Sequence, residues 1–254
     1  MEKSYVWGID LGGTKIECAV LSAADLTQVI ARERIDTEAS KGYEHIISQV
    51  ARLVSRVSEQ LGVSPTRIGF ATPGVLNPAT QTMKNCNTTS MNGRPMAADL
   101  TKALGVEVRL ANDANCFALA ETHLGAVQDV NPKAEVVFGI IMGTGVGGGL
   151  VVHGQVINGL HGIGGEWGHN ILEEGGKACY CGKSGCVEHV ISGPALEEFY
   201  FSISGQKHRM PQILQAHLAG TDIHASATIE RMLENFGRAV STLLNVLDPH
   251  VIVR

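Results

Sequence analysis

Between Gly165 and Glu188 the chain runs Gly165-Glu166-Trp167-Gly168-His169 and then Cys179-Tyr180-Cys181-Gly182-Lys183-Ser184-Gly185-Cys186-Val187-Glu188. One histidine and three cysteines this close together offer the four donors of a tetrahedral zinc shell: His169, Cys179, Cys181 and Cys186. Gly182 and Gly185 let the backbone fold back so that the thiolates converge. A disulfide framework is the competing reading. Cys179 and Cys181 are poor partners for one another, and no basic stretch followed by an apolar one opens the chain, so a reducing, cytoplasmic setting is expected. A nucleic-acid zinc ribbon asks for a second cysteine pair with basic flanks, and a formal net charge of -5 argues against a general nucleic-acid surface. Four protein donors close the shell, so the zinc is expected to be structural.

Around this cluster the periodicities describe an α/β chain. Tyr5 to Ile9 reads as a strand, Ile16 to Leu21 as a second and Val29 to Ile35 as a third. Ile46, Val50, Leu53, Val54 and Val57 keep helical spacing up to Gly62. Arg67 to Ala71 is a strand stopped by Thr72-Pro73-Gly74, and the polar stretch from Asn77 to Arg94 reads as a long loop of the functional kind. Val106 to Leu110 is a strand and Ala114 to Leu124 a helix. Val136 to Val152 is the most apolar region, but its glycines break it into two strands and a turn, so no membrane span is expected. A helical stripe from Ile229 to Leu247 stops at Asp248-Pro249, and a last strand begins at His250. The chain, 44% hydrophobic over 254 residues, is expected to form two α/β domains, 1–112 and 113–254.

Two glycine loops lie between strands. In Asp10-Leu11-Gly12-Gly13-Thr14-Lys15, glycines allow backbone N–H groups to approach an anion, Asp10 can hold Mg²⁺ through water, and Thr14 and Lys15 can reach phosphate oxygens. An ordinary hairpin turn explains the same residues, and the loop by itself leaves both readings open. It is neither a Walker A loop nor a dinucleotide fingerprint, since the spacings are absent. The second loop is Gly143-Thr144-Gly145-Val146-Gly147-Gly148-Gly149. Asp113 stands where a strand meets a helix, a place that holds a carboxylate rigidly, and either it or Asn112 can instead be a helix cap.

The ordered pair of loops resembles the two phosphate motifs of the hexokinase and actin superfamily. Glu-x-Gly-His, here Glu166 to His169, followed by Cys-x-Cys-Gly-x-x-Gly-Cys-x-Glu, here Cys179 to Glu188, resembles the signature of the ROK family of sugar kinases. The resemblance runs from Gly8 to Val253 and includes Thr72-Pro73-Gly74 and Leu247-Asp248-Pro249. It implies a two-domain actin/hexokinase-like (ribonuclease H-like) ATPase fold with an interdomain cleft, and ATP-dependent phosphorylation of a hexose at its 6-hydroxyl. Asp113 is then the general base, and Asn112, Glu166, His169 and Glu188 are sugar ligands, with Gly74 nearby. MgATP is expected on Asp10, Gly12, Gly13, Thr14 and Lys15 and on Gly143, Thr144 and Gly145. Homodimers or homotetramers are common in the family.

Glu166 to Asn170 and Asn85 to Gly93 look most like fructokinase/mannokinase-type members, whereas Asn112 to Leu119 and the Gly143 loop look equally like N-acetylglucosamine kinases. Fructose or mannose is the expected substrate, with N-acetylglucosamine as the alternative. In the family a Gly-Gly-Gly loop against the adenosine and further helices follow the strand after Asp248-Pro249, and this sequence stops at Arg254 before them. A chain truncated at its C-terminal end is therefore expected, and a non-catalytic sugar-binding protein is the alternative from another class. The repressors of the family carry a helix-turn-helix module ahead of the sugar-binding part, and with nine residues before Asp10 a repressor is not expected.

Overall fold

The computed structural model describes residues 4–254. Strands β1 (Tyr5–Leu11), β2 (Lys15–Ser22) and β3 (Asp25–Asp36) form an antiparallel meander, with register shifts on either side of Leu21. Trp7, Ile9 and Leu11 alternate into the core from β1, and Ile16, Cys18 and Val20 from β2. Helix α1 (Tyr43–Leu61) answers that apolar face with Ile46, Val50, Leu53 and Val57, and ends at Gly62 with φ +67°. Each such fully buried aliphatic side chain contributes roughly 1.5–3 kcal/mol. Strand β4 (Arg67–Thr72), helix α2 (Met96–Leu104) and strand β7 (Glu107–Asn112) complete a sheet ordered β3-β2-β1-β4-β7, in which β1, β4 and β7 run parallel.

The stretch from Asn77 to Arg94 is not the structureless loop that its polarity predicts. Strands β5 (Val75–Leu76) and β6 (Met83–Lys84) pair antiparallel, and a turn of 3₁₀ helix spans Thr89–Met91. Strands this short carry no readable period, and the segment is held instead by the buried side chains of Met83, Cys86 and Met91. The third strand begins four residues earlier than its apolar run, at Asp25, because backbone pairing with Ser22 extends it.

The chain divides into two compact units, one formed by the chain up to Cys116 with Asn158–Ile163, the other by Phe117–Ile157 with Gly164–Arg254. Helix α3 (Asp113–Leu124) begins in the first, and α4 (Ala126–Val130) follows in the second. Strands β8 (Val136–Met142), β9 (Val146–Val152) and β10 (Gln155–Val156) form a meander, and β11 (Val251–Val253) adds in parallel beside β8. Helices α5 (Glu188–Ile191), α6 (Gly193–Ser204), α7 (Met210–Leu218) and α8 (Ile223–Leu247) follow the cysteine-rich segment. Ala239 and Leu243 of α8 pack with Phe138, Ile140, Trp167 and Val190 into the core of this unit. Among the described residues no helix is long and apolar enough to cross a membrane.

Candidate active site

The parallel strands of the first unit bring three separate turns to one sheet edge. Asp10 is level with Ala71, Ala71 with Ala111, and Thr72 with Asn112. The glycine loop after β1, the Pro73-Gly74 turn after β4 and Asp113 after β7 therefore all leave from the carboxyl ends of adjacent strands, where open α/β sheets bind ligands.

In the first loop the Gly12 N–H donates to Lys15 O at 2.9 Å. Thr37, wholly buried, braces it from below: its hydroxyl donates to Gly12 O at 2.7 Å and its N–H to Thr14 O at 2.9 Å. A β-carbon at Gly13 would lie 2.7 Å from Thr88 Oγ1, so glycine is what lets that loop pass. The Lys15 ammonium pairs with Asp36 on the exposed side of the hairpin. Burial, and then the charge of Glu17 opposite, raise the Asp10 carboxyl above its ordinary value, while Arg34 pulls it back.

Asn112 and Asp113 divide their work. Asn112 Oδ1 accepts the N–H groups of Ala114 and Asn115 at 3.0 and 3.2 Å, which makes it the cap of α3. Asp113 Oδ1 shares the Ala114 N–H at 2.8 Å. Solvent reaches Asp113, yet enough protein surrounds it that desolvation raises its carboxyl above the usual range, and the Asp10 charge adds to the rise.

In the second unit the Gly143 N–H closes the second loop on Gly145 O at 2.9 Å, and Gly143 O accepts the Gly193 N–H at the start of α6 at 2.9 Å. Beside this loop lies a cleft of about 610 Å³ lined by Thr144, Pro194, Leu214, Ile229 and Met232. The Glu166 to His169 turn is seated directly on β9: Trp167 Nε1 donates to Gly147 O at 2.8 Å. A β-carbon at Gly168 would stand 1.9 Å from Val146 O. One carboxylate oxygen of Glu188, at the start of α5, accepts the Val146 N–H at 3.0 Å. Glu166, of intermediate exposure, starts the same turn.

The donors His169, Cys179, Cys181 and Cys186 have their ligand atoms within 4.8 Å of one another. Cys179 Sγ lies 3.6 Å from His169 Nδ1, and Cys181 Sγ lies 3.6 Å from Cys186 Sγ. Tetrahedral zinc with Zn–S of about 2.3 Å has ligand-to-ligand edges of about 3.7 Å, so the set fits the ion. His169 turns Nδ1 to this cluster and Nε2 to the Tyr180 hydroxyl, 3.1 Å away. Burial lowers the His169 pKa and favours the neutral ring that a metal ligand needs.

Thr37, Thr88 and Tyr180 escaped the sequence reading. Tyr180 was open to discovery by its place between two cysteines. The threonines act across long sequence separations and carry no local signal.

Four likenesses to known proteins bear on this arrangement. The model of the ROK family matches residues 6–254. An N-acetyl-D-glucosamine kinase of Pasteurella multocida (strain Pm70) is 37% identical, over 97% of this chain and 82% of its own length. The ROK hexokinase of Thermus thermophilus superposes with a TM-score of 0.82 at 33% identity, covering 98% of this chain and 80% of that one. A ROK family glucokinase of Streptomyces griseus, solved with glucose and AMPPNP, shares the fold with a TM-score of 0.81 at 24% identity, covering 98% and 82%.

Proposed function

The chain belongs to the ROK family, and on that premise we propose that it is a sugar kinase that moves the γ-phosphoryl group of ATP to the 6-hydroxyl of N-acetylglucosamine. The observation that carries the reading is the Asn112–Asp113 step. A capped helix end holds a proton-seeking carboxylate at the same sheet edge as the Gly12-Gly13 loop. Asp113 accepts the hydroxyl proton as the sugar oxygen bonds to phosphorus and the bond to the ADP oxygen breaks. Its raised pKa makes it a stronger base than an ordinary carboxylate.

For the sugar hydroxyls the reading assigns Asn112, with Gly74 leaving room, and in the second unit Glu166, His169 and Glu188. Carboxylates accept such hydroxyls well. For ATP it assigns Gly12, Gly13, Thr14 and Lys15, and Gly143, Thr144 and Gly145 beside the apolar cleft. Asp10 is the group that would hold Mg²⁺, which supplies charge neutralisation for the phosphates. His169, Cys179, Cys181 and Cys186 would hold zinc in a purely structural role, fixing the loop that ends in Glu188.

The N-acetylated substrate rests on the Pasteurella relative. An unacetylated hexose such as fructose or mannose is the second reading, supported only at the level of a hexose by the likeness to a ROK hexokinase at 33% identity. Coupled ADP release with N-acetylglucosamine, N-acetylmannosamine, glucose, mannose and fructose, each beside its 6-deoxy analogue, tests both. The highest kcat/KM is expected with N-acetylglucosamine and none with any 6-deoxy sugar. A preference for fructose or mannose favours the second reading, and turnover of no sugar leaves a sugar-binding protein.

A further inference from the structure

We propose that Thr88 is a phosphoryl-positioning residue: its hydroxyl, parked over Gly13 of the first glycine loop, donates to the phosphoryl group as it passes to the sugar. The inference rests on the kinase reading above and adds a residue to it.

The segment from Lys84 to Asn92 is built onto the two glycine turns of the sheet edge. At Gly74 a β-carbon would lie 2.5 Å from Cys86 Sγ and 2.6 Å from Lys84 O, and at Gly13 it would lie 2.7 Å from Thr88 Oγ1. Both turns thus lack a side chain where this segment crosses them. Asn92 fixes the segment's shape: its Oδ1 accepts the Cys86 N–H at 2.9 Å and its amide donates back to Cys86 O at 3.2 Å. Asn85 holds φ +57°, a left-handed conformation that side chains other than glycine seldom adopt. Burial, and then the charge of Asp113, push the Cys86 thiol up to about 12, so the segment is within electrostatic reach of the base.

The plain explanation for a threonine here is helix capping. Thr88 does occupy the N-cap position of the Thr89–Met91 turn, yet its side chain makes no cap hydrogen bond. Only its backbone carbonyl serves the turn, accepting the Met91 N–H at 3.0 Å. The hydroxyl is turned instead to the loop whose glycines open the backbone to an anion, and a hydroxyl can donate to a phosphate oxygen.

The test compares T88V, which keeps the shape and deletes the hydroxyl, with T88S, which keeps the hydroxyl, using the best sugar of the wild-type chain. T88V is expected to lower kcat about 10- to 100-fold, with sugar KM within about twofold and an unchanged melting temperature, while T88S retains kcat. The proposal is overturned by a T88V kcat equal to wild type, by equal losses in T88V and T88S, or by a loss confined to sugar KM. A wild-type chain that phosphorylates no sugar overturns the kinase reading itself, and this proposal with it.

Discussion

The side-chain oxygen of Asn112 accepts the backbone N–H groups of Ala114 and Asn115, so the helix that begins at Asp113 is capped by its neighbour. The two roles separate by mutation. Asn112→Ala should cost about 1 kcal/mol of stability, read as a lower melting temperature. Asp113→Asn should leave melting and sugar affinity near wild type while turnover falls at least about 100-fold. Calorimetric sugar titration beside coupled ADP release checks both halves, and loss of sugar binding in Asp113→Asn would return the residue to a structural role.

The raised pKa of Asp113 has consequences in pH. As the proposed base, Asp113 would work deprotonated, so kcat/KM should fall as pH drops through the raised value, with its acid limb above the ~3.9 of an ordinary aspartate. The fold also binds this proton more tightly than the unfolded chain does. Asp113 therefore makes the folded chain less stable as pH rises from the ordinary value through the raised one. Melting curves across that window should be flatter in Asp113→Asn than in the wild type.

Zinc content should be about one ion per chain, measured by elemental mass spectrometry. Cys181→Ser should lose the ion and raise the sugar KM more than the ATP KM, because Glu188, the proposed sugar ligand, is two residues beyond Cys186, a proposed zinc ligand. Exhaustive chelation should do the same and open Cys179, Cys181 and Cys186 to alkylation. Full activity without metal would remove the structural role.

Gly74 and Gly143 should respond differently to alanine. Gly74→Ala drives a β-carbon against Cys86 Sγ and Lys84 O, and a cost of about 1–3 kcal/mol is expected. Around Gly143 nothing lies within 4 Å of a β-carbon, so Gly143→Ala should melt like the wild type and show its effect in the ATP KM. Paired melting and kinetic measurements separate the cases.

The sequence made the Asp10-to-Lys15 loop, the Asn112–Asp113 step and the His169 and cysteine donors legible, because each is compressed into a few neighbouring residues. It left open whether Asp113 or Asn112 caps the helix, a matter of one oxygen's direction. It concealed Thr37 beneath Gly12 and Thr88 beside Gly13, since both contacts join residues far apart in the chain through single atoms. The hairpin of β5 and β6 was hidden for a different reason: two-residue strands have no alternation to read. Asn158–Ile163 belongs with the first unit although it follows the strands of the second. Asn115 Nδ2 donates to Asn158 Oδ1 at 3.3 Å, a part-buried tether between residues that give no local cue.

Strand β3 lies at the outer margin of its sheet, with register shifts where it pairs around Leu21. Unpaired strand margins invite other chains to add on and begin insoluble assemblies. Along this one stand Arg32, Glu33, Arg34 and Asp36, with both arginines anchored on Glu17 and Glu33 paired with Arg56. Fixed charge and an irregular register make it a poor template, so the same three-stranded meander that carries the glycine loop also guards its own open margin.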